Sequence, residues 1–330
     1  MNEQQNEMDV RNAEAKRLIA RLVELKAKVG EIVGGEMSDN DFAKKFLTFS
    51  TTTWSKLQSG SYNGGKLFSM EQDMRDSINE IEGRLDGLRE AASYSKTFIN
   101  TSFVSAVAGR VKRAKDDPED RRIVVCLAPT GFGKTAMVKY LVGKGAVAVE
   151  GLQSWKSSYR SFCASIAQAC GTEVPLSAKQ DRAEELMLKA LSNRDGTLVI
   201  DEANTLSGPC ANGIKQIVNR TGYTVVLAAI PEFWDKFLEG NRGEVRQIIN
   251  RCQRVIRQEE ISVEDVKKFL KSRSLPLEFA SDIAKVANRF GGFRTVISIM
   301  DEIKADPTRE GLEKSISEHG RNYAAFNLGK

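Results

Sequence analysis

The sequence lacks most of what histidine, disulfide or zinc chemistry needs. It has one histidine, His319, near its end. Its five cysteines (Cys126, Cys163, Cys170, Cys210 and Cys252) show no paired spacing. A serine–histidine relay and a histidine metal site are therefore excluded. An odd cysteine count without a framework fits small buried thiols in a reducing compartment better than bridges or zinc. No uninterrupted apolar run of about 18 residues occurs, so nothing reads as a membrane span. The polar, acidic opening from Met1 to Val10 is unlike a signal peptide. These absences predict a cytoplasmic protein without a membrane partner. Charge of one sign is also scarce. The formal balance is +5 over 330 residues, too mild by itself to imply a nucleic-acid partner. That length allows two or three domains.

What the chain does have is local pattern. Met70 to Glu90 is rich in acids, whereas Lys44, Lys45, Lys56 and Lys66 outnumber Asp41 just before it. Arg242, Arg246, Arg251, Arg254 and Arg257 form a second basic series. Leu18, Leu22, Leu25, Val29 and Ile32 recur every three or four residues, one apolar stripe on a helix. Ser38 or Asp39 then caps a short helix from Asp41 to Phe46, and Ser50 caps another from Thr51 to Gln58, ended by Gly60. That is a helix-turn-helix pattern. Trp54 and Leu57 face inward. Thr51, Thr52, Thr53, Ser55 and Lys56 face outward and suit phosphate and base-edge contacts. Met70, Met74, Ile78, Ile81, Leu85 and Leu88 stripe a further helix. Residues 112–122 read as a polar connector.

From Ile123 strands and helices alternate. Short, nearly all-apolar strands are expected at Ile123–Leu127, Ala146–Val149, Thr197–Ile200, Thr224–Ile230 and Arg254–Ile261, as in a parallel sheet covered on both faces. Helices fall between them: Thr135–Val142, Ser157–Cys170, Arg182–Ser192 and Ala211–Thr221. The fold class is α/β, with a five-stranded parallel sheet and a helical lid, preceded by an all-α helix-turn-helix domain. The expected division is 1–66 for that domain, 67–97 for a connecting helix, 98–261 for the α/β core and 262–330 for the lid and tail. Lid helices are expected at Val263–Arg273, Leu277–Phe290, Arg294–Lys304 and onward from Thr308.

The chemistry is concentrated in two segments. The strand Ile123–Leu127 runs into Ala128-Pro129-Thr130-Gly131-Phe132-Gly133-Lys134-Thr135-Ala136. A Gly-rich loop between a strand and a helix aims backbone N–H groups at one spot, where the helix end adds positive potential. Lys134 reaches the β- and γ-phosphates of ATP, and the Thr135 hydroxyl binds Mg²⁺. Ala128 stands where the first glycine of such loops is usual. The strand Thr197–Ile200 ends in Asp201-Glu202, at the edge where open α/β sheets bind ligands. Asp201 serves Mg²⁺, and Glu202 polarises the attacking water. Phosphoryl transfer also needs a cation for the charge on the γ-oxygens. Arg294, in Gly291-Gly292-Phe293-Arg294, is the candidate in cis. Arg242, Arg246 and Arg251 are candidates for a finger entering a neighbouring subunit.

With these motifs the chain resembles the AAA+ ATPases and, within them, the family of the phage Mu B transposition protein, transposon target-selection ATPases and insertion-sequence helper ATPases. The residues that carry the resemblance are Asp41–Gly60, Ala128–Thr135, Asp201-Glu202, Gly240-Asn241-Arg242 with Arg251, and Gly291–Arg294. The resemblance implies ATP-dependent, largely sequence-nonspecific assembly on double-stranded DNA. The product is a helical filament of this chain with ATP at its subunit interfaces. That filament presents target DNA to a transposase, which triggers hydrolysis. It also implies that Lys156 and Arg160, in the loop after the second strand, hold DNA phosphates; packing of Trp155 and Tyr159 at an ordinary helix start is the alternative. One departure stands out. The strand ending at Ile230 lacks the polar residue that helps such enzymes place the water, so a slow timer is expected. Two other functions share these parts: an ATP-gated helix-turn-helix regulator and a helicase loader.

Overall fold

The computed structural model describes residues 2–33, 35–95, 98–119, 121–192, 196–240 and 248–327. The N-terminal unit holds α1 (Asn2–Val33), α2 (Asp39–Phe46), α3 (Thr51–Gln58) and α4 (Glu71–Ser95). Local chemistry sets these boundaries. Ser38 Oγ accepts from Asp41 N–H and Ser50 Oγ from Thr53 N–H, each satisfying an otherwise orphaned donor at a helix start. Gly60, at φ 71°, lets the chain leave α3, and Ser61 N–H donates back to Lys56 O at 3.0 Å. The stripes of α1 and α4 close on each other. Leu22, Leu25, Met74 and Ile81 are buried with Phe42, Phe46, Trp54 and Leu57 in one apolar cluster. Full burial of each such side chain contributes roughly 1.5–3 kcal/mol. Arg75–Glu14 and Arg21–Glu82 pairs lace α1 and α4 together in parallel. The helix assigned to residues 67–97 thus shares the N-terminal core.

It also contacts the rest of the chain. Arg84 of α4 is buried, stacks on Phe46, pairs with Glu80 and donates to Gly145 O at 2.8 Å.

The α/β core adds α5 (Ser102–Lys115), β1 (Ile123–Leu127), α6 (Lys134–Gly143), β2 (Val147–Glu150), α7 (Tyr159–Ala169), α8 (Gln180–Leu191), β3 (Thr197–Asp201), α9 (Gly208–Thr221), β4 (Thr224–Ala229), α10 (Pro231–Gly240) and β5 (Cys252–Arg257). The strand order is β2-β3-β4-β1-β5, with every neighbouring pair parallel. Side-chain alternation along β1 feeds two cores. Val124 and Cys126 join the cluster under α5 and α6, whereas Ile123, Val125 and Leu127 join the one under α7, α8 and α9. The lid consists of α11 (Val263–Ser272), α12 (Ala280–Phe290), α13 (Phe293–Glu302) and α14 (Arg309–Asn327). Its Val266, Ile283, Phe293 and Val296 extend the α5–α6 cluster. Asp265 of α11 crosses to the start of α5, where both carboxylate oxygens accept from Ser102 N–H.

Several expectations are corrected. The connector begins only after Lys115, because Thr101 caps α5 and Phe103, Val104, Val107 and Val111 give it a buried stripe. β5 starts two residues earlier than expected and ends four earlier. It is an edge strand with half-exposed residues, so its pattern is weak. β4 stops at Ala229, where Pro231 opens α10, a helix not anticipated. Among the described residues no helix is long and apolar enough to cross a membrane. The five cysteines are free, four of them buried. Burial pushes the Cys163 and Cys170 thiols up to about 12.

Candidate nucleotide-binding and active site

The phosphate loop follows β1 directly. Ala128 continues the strand by donating its N–H to Ala229 O at 3.1 Å, and it is fully buried. Its φ is not positive, so alanine fits where such loops often carry glycine. Gly131 cannot be replaced in this way. Its φ is 88°, and an added Cβ would stand 2.2 Å from Gly291 O of the lid. The close approach is mutual, because a Cβ on Gly292 would stand 2.7 Å from Gly131 O. Phe293 N–H donates to Gly131 O at 2.9 Å. The lid therefore rests on the loop backbone, and it brings Arg294 alongside, with its Cδ 3.9 Å from that same Cβ position. Arg294, the residue expected to act in cis, stands exposed beside the loop at Gly131.

Lys134 opens α6 behind the loop. Only 6% of it is exposed, and its Nζ donates to Ala128 O at 2.7 Å and Pro129 O at 3.2 Å. Burial holds its amine below the usual value, against the pull of Glu202 and Asp201. At the end of β3, burial lifts the Asp201 carboxyl above the usual range. Lys134 and the Glu202 N–H, which donates to Asp201 Oδ1 at 2.9 Å, counter this only in part. A cation and an anion thus sit desolvated at one sheet edge, each short of counter-charge. Phosphate oxygens would supply it to Lys134, and a divalent ion to Asp201.

The residues fit MgATP. Gly131 and Gly133 have positive φ, a bend that lets N–H groups turn toward phosphate. Thr135 and Asp201 line one cavity of about 360 Å³. A hydroxyl and a carboxylate are hard oxygen ligands, and two of them suit Mg²⁺, which keeps waters and takes phosphate oxygens as its other ligands. Pro129, Thr130 and Phe132 complete the turn, and Ala136 lies in the first turn of α6.

Glu202 follows Asp201 in left-handed backbone, φ 47°. That costs a non-glycine residue about 1–3 kcal/mol and marks a position held by its surroundings. Asn204 was not anticipated. Its Nδ2 donates to Glu202 Oε2 at 2.5 Å, and its Oδ1 accepts from Ile230 N–H at 2.9 Å. The only sequence signal was its place two residues after the acid pair. Two further acids stand close. Glu150 pairs in register with Asp201, and Glu232 of α10 acts on Lys134.

The other candidates lie elsewhere. Arg251 O accepts from Ile123 N–H, at the strand-start edge of the sheet. Its guanidinium donates to Asn219. It lies at the opposite end of β1 from the loop. Arg242 and Arg246 lie outside the described residues. Arg160, expected at a DNA phosphate, donates to Ala178 O and Pro175 O, each at 2.7 Å, and to Leu176 O. Trp155 is buried and Tyr159 stacks on Phe162, so the alternative of inward packing describes this helix start; Lys156 is exposed. On α3, Thr52, Ser55 and Lys56 are exposed. Thr51 donates to Asn40, and Thr53 is engaged with the Ser50 cap.

Residues 116–237 match the sequence model of a family described as "AAA domain". No curated protein sequence matches the chain. Among solved structures, a RuvB mutant of Thermotoga maritima is 16% identical over 65% of this chain and 69% of that one, at a TM-score of 0.40. The Thermotoga maritima RuvB Holliday junction branch migration motor is 14% identical over 64% and 68%, at 0.39. The Hsp104–ADP complex of S. cerevisiae is 14% identical over 88% and 63%, at 0.42. Similarity of that degree carries nothing about ligands or partners. That match, the parallel sheet in the order β2-β3-β4-β1-β5 and the loop between β1 and α6 give the chain an AAA+ P-loop fold.

Proposed function

We propose that this chain is an ATP-dependent, largely sequence-nonspecific DNA-binding ATPase. It assembles on duplex DNA and delivers that DNA to a partner transposase. Lys134 and the loop N–H groups would hold the triphosphate, and Thr135 and Asp201 would hold Mg²⁺, which supplies charge neutralisation when bound. Glu202 takes the proton of the attacking water. Arg294 steadies the γ-phosphate from the lid, and an arginine of Arg242, Arg246 or Arg251 from a neighbouring subunit makes turnover depend on assembly.

The observation that carries this reading is the packing of the N-terminal helical unit beside Thr135 and Asp201. α4 shares the core of the unit that exposes Thr52, Ser55 and Lys56, and its Gly83, Arg84 and Leu88 line the same cavity as Thr135 and Asp201. A second feature favours a polyanion. Lys44, Lys45, Arg84, Lys112, Lys115 and Lys144 line a cavity of about 320 Å³ between the helical unit and the core, with no carboxylate among the described residues that line it. Three helices end there, and their C-terminal dipoles account for part of this charge. Phosphate backbones would meet the remainder.

Electron microscopy and footprinting on duplex DNA test the proposal. A long, sequence-independent footprint that needs ATP or a nonhydrolysable analogue is expected. A discrete palindromic site bound without nucleotide would turn the reading to an operator-binding regulator. Contact with a replicative helicase in place of DNA assembly would turn it to a loader.

A further inference from the structure

We propose that Asn204 is the positioning residue for Glu202 and replaces the polar side chain absent from the end of β4. The inference rests on the ATPase reading above. The chemistry of its partners settles the amide's orientation. A backbone N–H can only donate, so the atom facing Ile230 N–H is Oδ1. The NH₂ end is then turned toward Glu202 Oε2, an acceptor. One side chain thus joins the ends of β3 and β4 at the site where water must be placed.

Asn204 is itself well seated. It lies in a single 3₁₀ turn, Ala203–Thr205, whose two flanking residues are buried. Thr205 Oγ1 donates back to Glu202 O at 3.4 Å. Gly151 packs against that same carbonyl, since a Cβ there would stand 2.4 Å from it. The backbone of Glu202 is therefore clamped from two sides, which accounts for its left-handed φ. Its carboxylate, held at Oε2 by Asn204, leaves Oε1 to take a proton. In the hydrolytic step the water oxygen bonds to the γ-phosphorus and the β–γ bridging oxygen leaves with the bonding pair. The water's proton passes to Oε1. Ile230 contributes through its backbone N–H, which anchors Asn204. An apolar side chain at the end of β4 is thereby reconciled with hydrolysis.

Two variants separate positioning from mere support. Asn204→Ala removes both hydrogen bonds. Asn204→Asp keeps an acceptor for Ile230 N–H but offers no donor to Glu202 and sets two carboxylates face to face. Magnesium-ATP affinity is measured by calorimetry and turnover in the presence of duplex DNA. Both variants should bind ATP within about threefold of the unmodified chain and lose about 10- to 100-fold in kcat with little change in KM, the size expected when a reacting group is misplaced by about 1 Å. Asn204→Asp should be at least as slow as Asn204→Ala. Near-normal turnover in Asn204→Asp, or an Asn204→Ala variant whose affinity and rate fall together, would overturn the assignment and leave a structural amide. Unchanged kcat in Asn204→Ala would overturn it too. Absence of hydrolysis by the unmodified chain would overturn the ATPase reading itself, and this assignment with it.

Discussion

The strand-end edge that carries Asp201 and the N-terminal helical unit treat their polar residues in opposite ways. At the sheet edge Lys134 is almost wholly buried, and Asp201 and Glu202 are half-buried and held by backbone and side-chain contacts. On α3 the framework is buried, in Trp54 and Leu57, while Thr52, Ser55 and Lys56 point to solvent. The difference suits the two tasks proposed for them. Phosphoryl transfer needs charges fixed in a low-dielectric site before the reaction begins. Contact with a phosphate backbone needs accessible charge that can exchange with counterions. Substitutions should therefore act steeply at the first region and gently at the second.

The steepest effect is expected at Glu202. Glu202→Gln should retain ATP, prolong DNA complexes and reduce turnover by about 100-fold or more, the usual contribution of a positioned base. Faster dissociation from DNA than the unmodified chain shows would contradict this. Lys134→Ala comes next. It removes the main cation for the triphosphate, at about 3 kcal/mol or roughly 100-fold in affinity. Calorimetry giving unaltered ATP affinity would break the comparison at its centre.

A third effect tests what holds the lid. Asp265 is fully buried and accepts from Ser102 and Lys268. Burial pushes its carboxyl up, but those hydrogen bonds outweigh it and hold it below the ordinary 3.8. Its folded pKa being depressed, its contribution is present above about pH 4 and is lost as pH falls through the lower folded value. Asp265→Ala should cost about 2 kcal/mol of stability at neutral pH. The gap in thermal midpoint from the unmodified chain should narrow once the pH is well below 3.8. A gap that is the same at acid and neutral pH would refute the role.

The gentlest effect is expected on α3. Lys56→Ala should weaken DNA binding a few-fold, lower the salt slope by about 1 and leave ATP affinity alone. A Lys56→Ala loss as steep as that of Lys134→Ala would erase the contrast between the two regions.

Legibility in the sequence followed the same contrast between local and distant chemistry. The caps at Ser38 and Ser50, the stop at Gly60 and the inward Trp54 and Leu57 needed only neighbours three or four residues away, and they stand as expected. The strand β1, its loop and Asp201-Glu202 were legible because strand, glycine and acid types follow one another directly. The edge strand β5 was misplaced because half-exposed residues carry a weak alternation. Helix α5 was missed although its cap and stripe were present. The seat of Arg160 was not legible, because the carbonyls of Pro175, Leu176 and Ala178 that accept from it lie beyond any local pattern.

By itself the sequence determined that a triphosphate loop meets an acidic strand end and that capped short helices precede them, since backbone hydrogen bonding and side-chain periodicity act over a few residues. Tertiary structure alone decided that Gly131 interlocks with Gly291 and Gly292, that α4 ties the helical unit to the core, and that Asn204 bridges Glu202 to Ile230. Those contacts depend on close packing between segments tens of residues apart. There an added methyl group or a missing donor is felt across space and leaves no trace in the local order of residues.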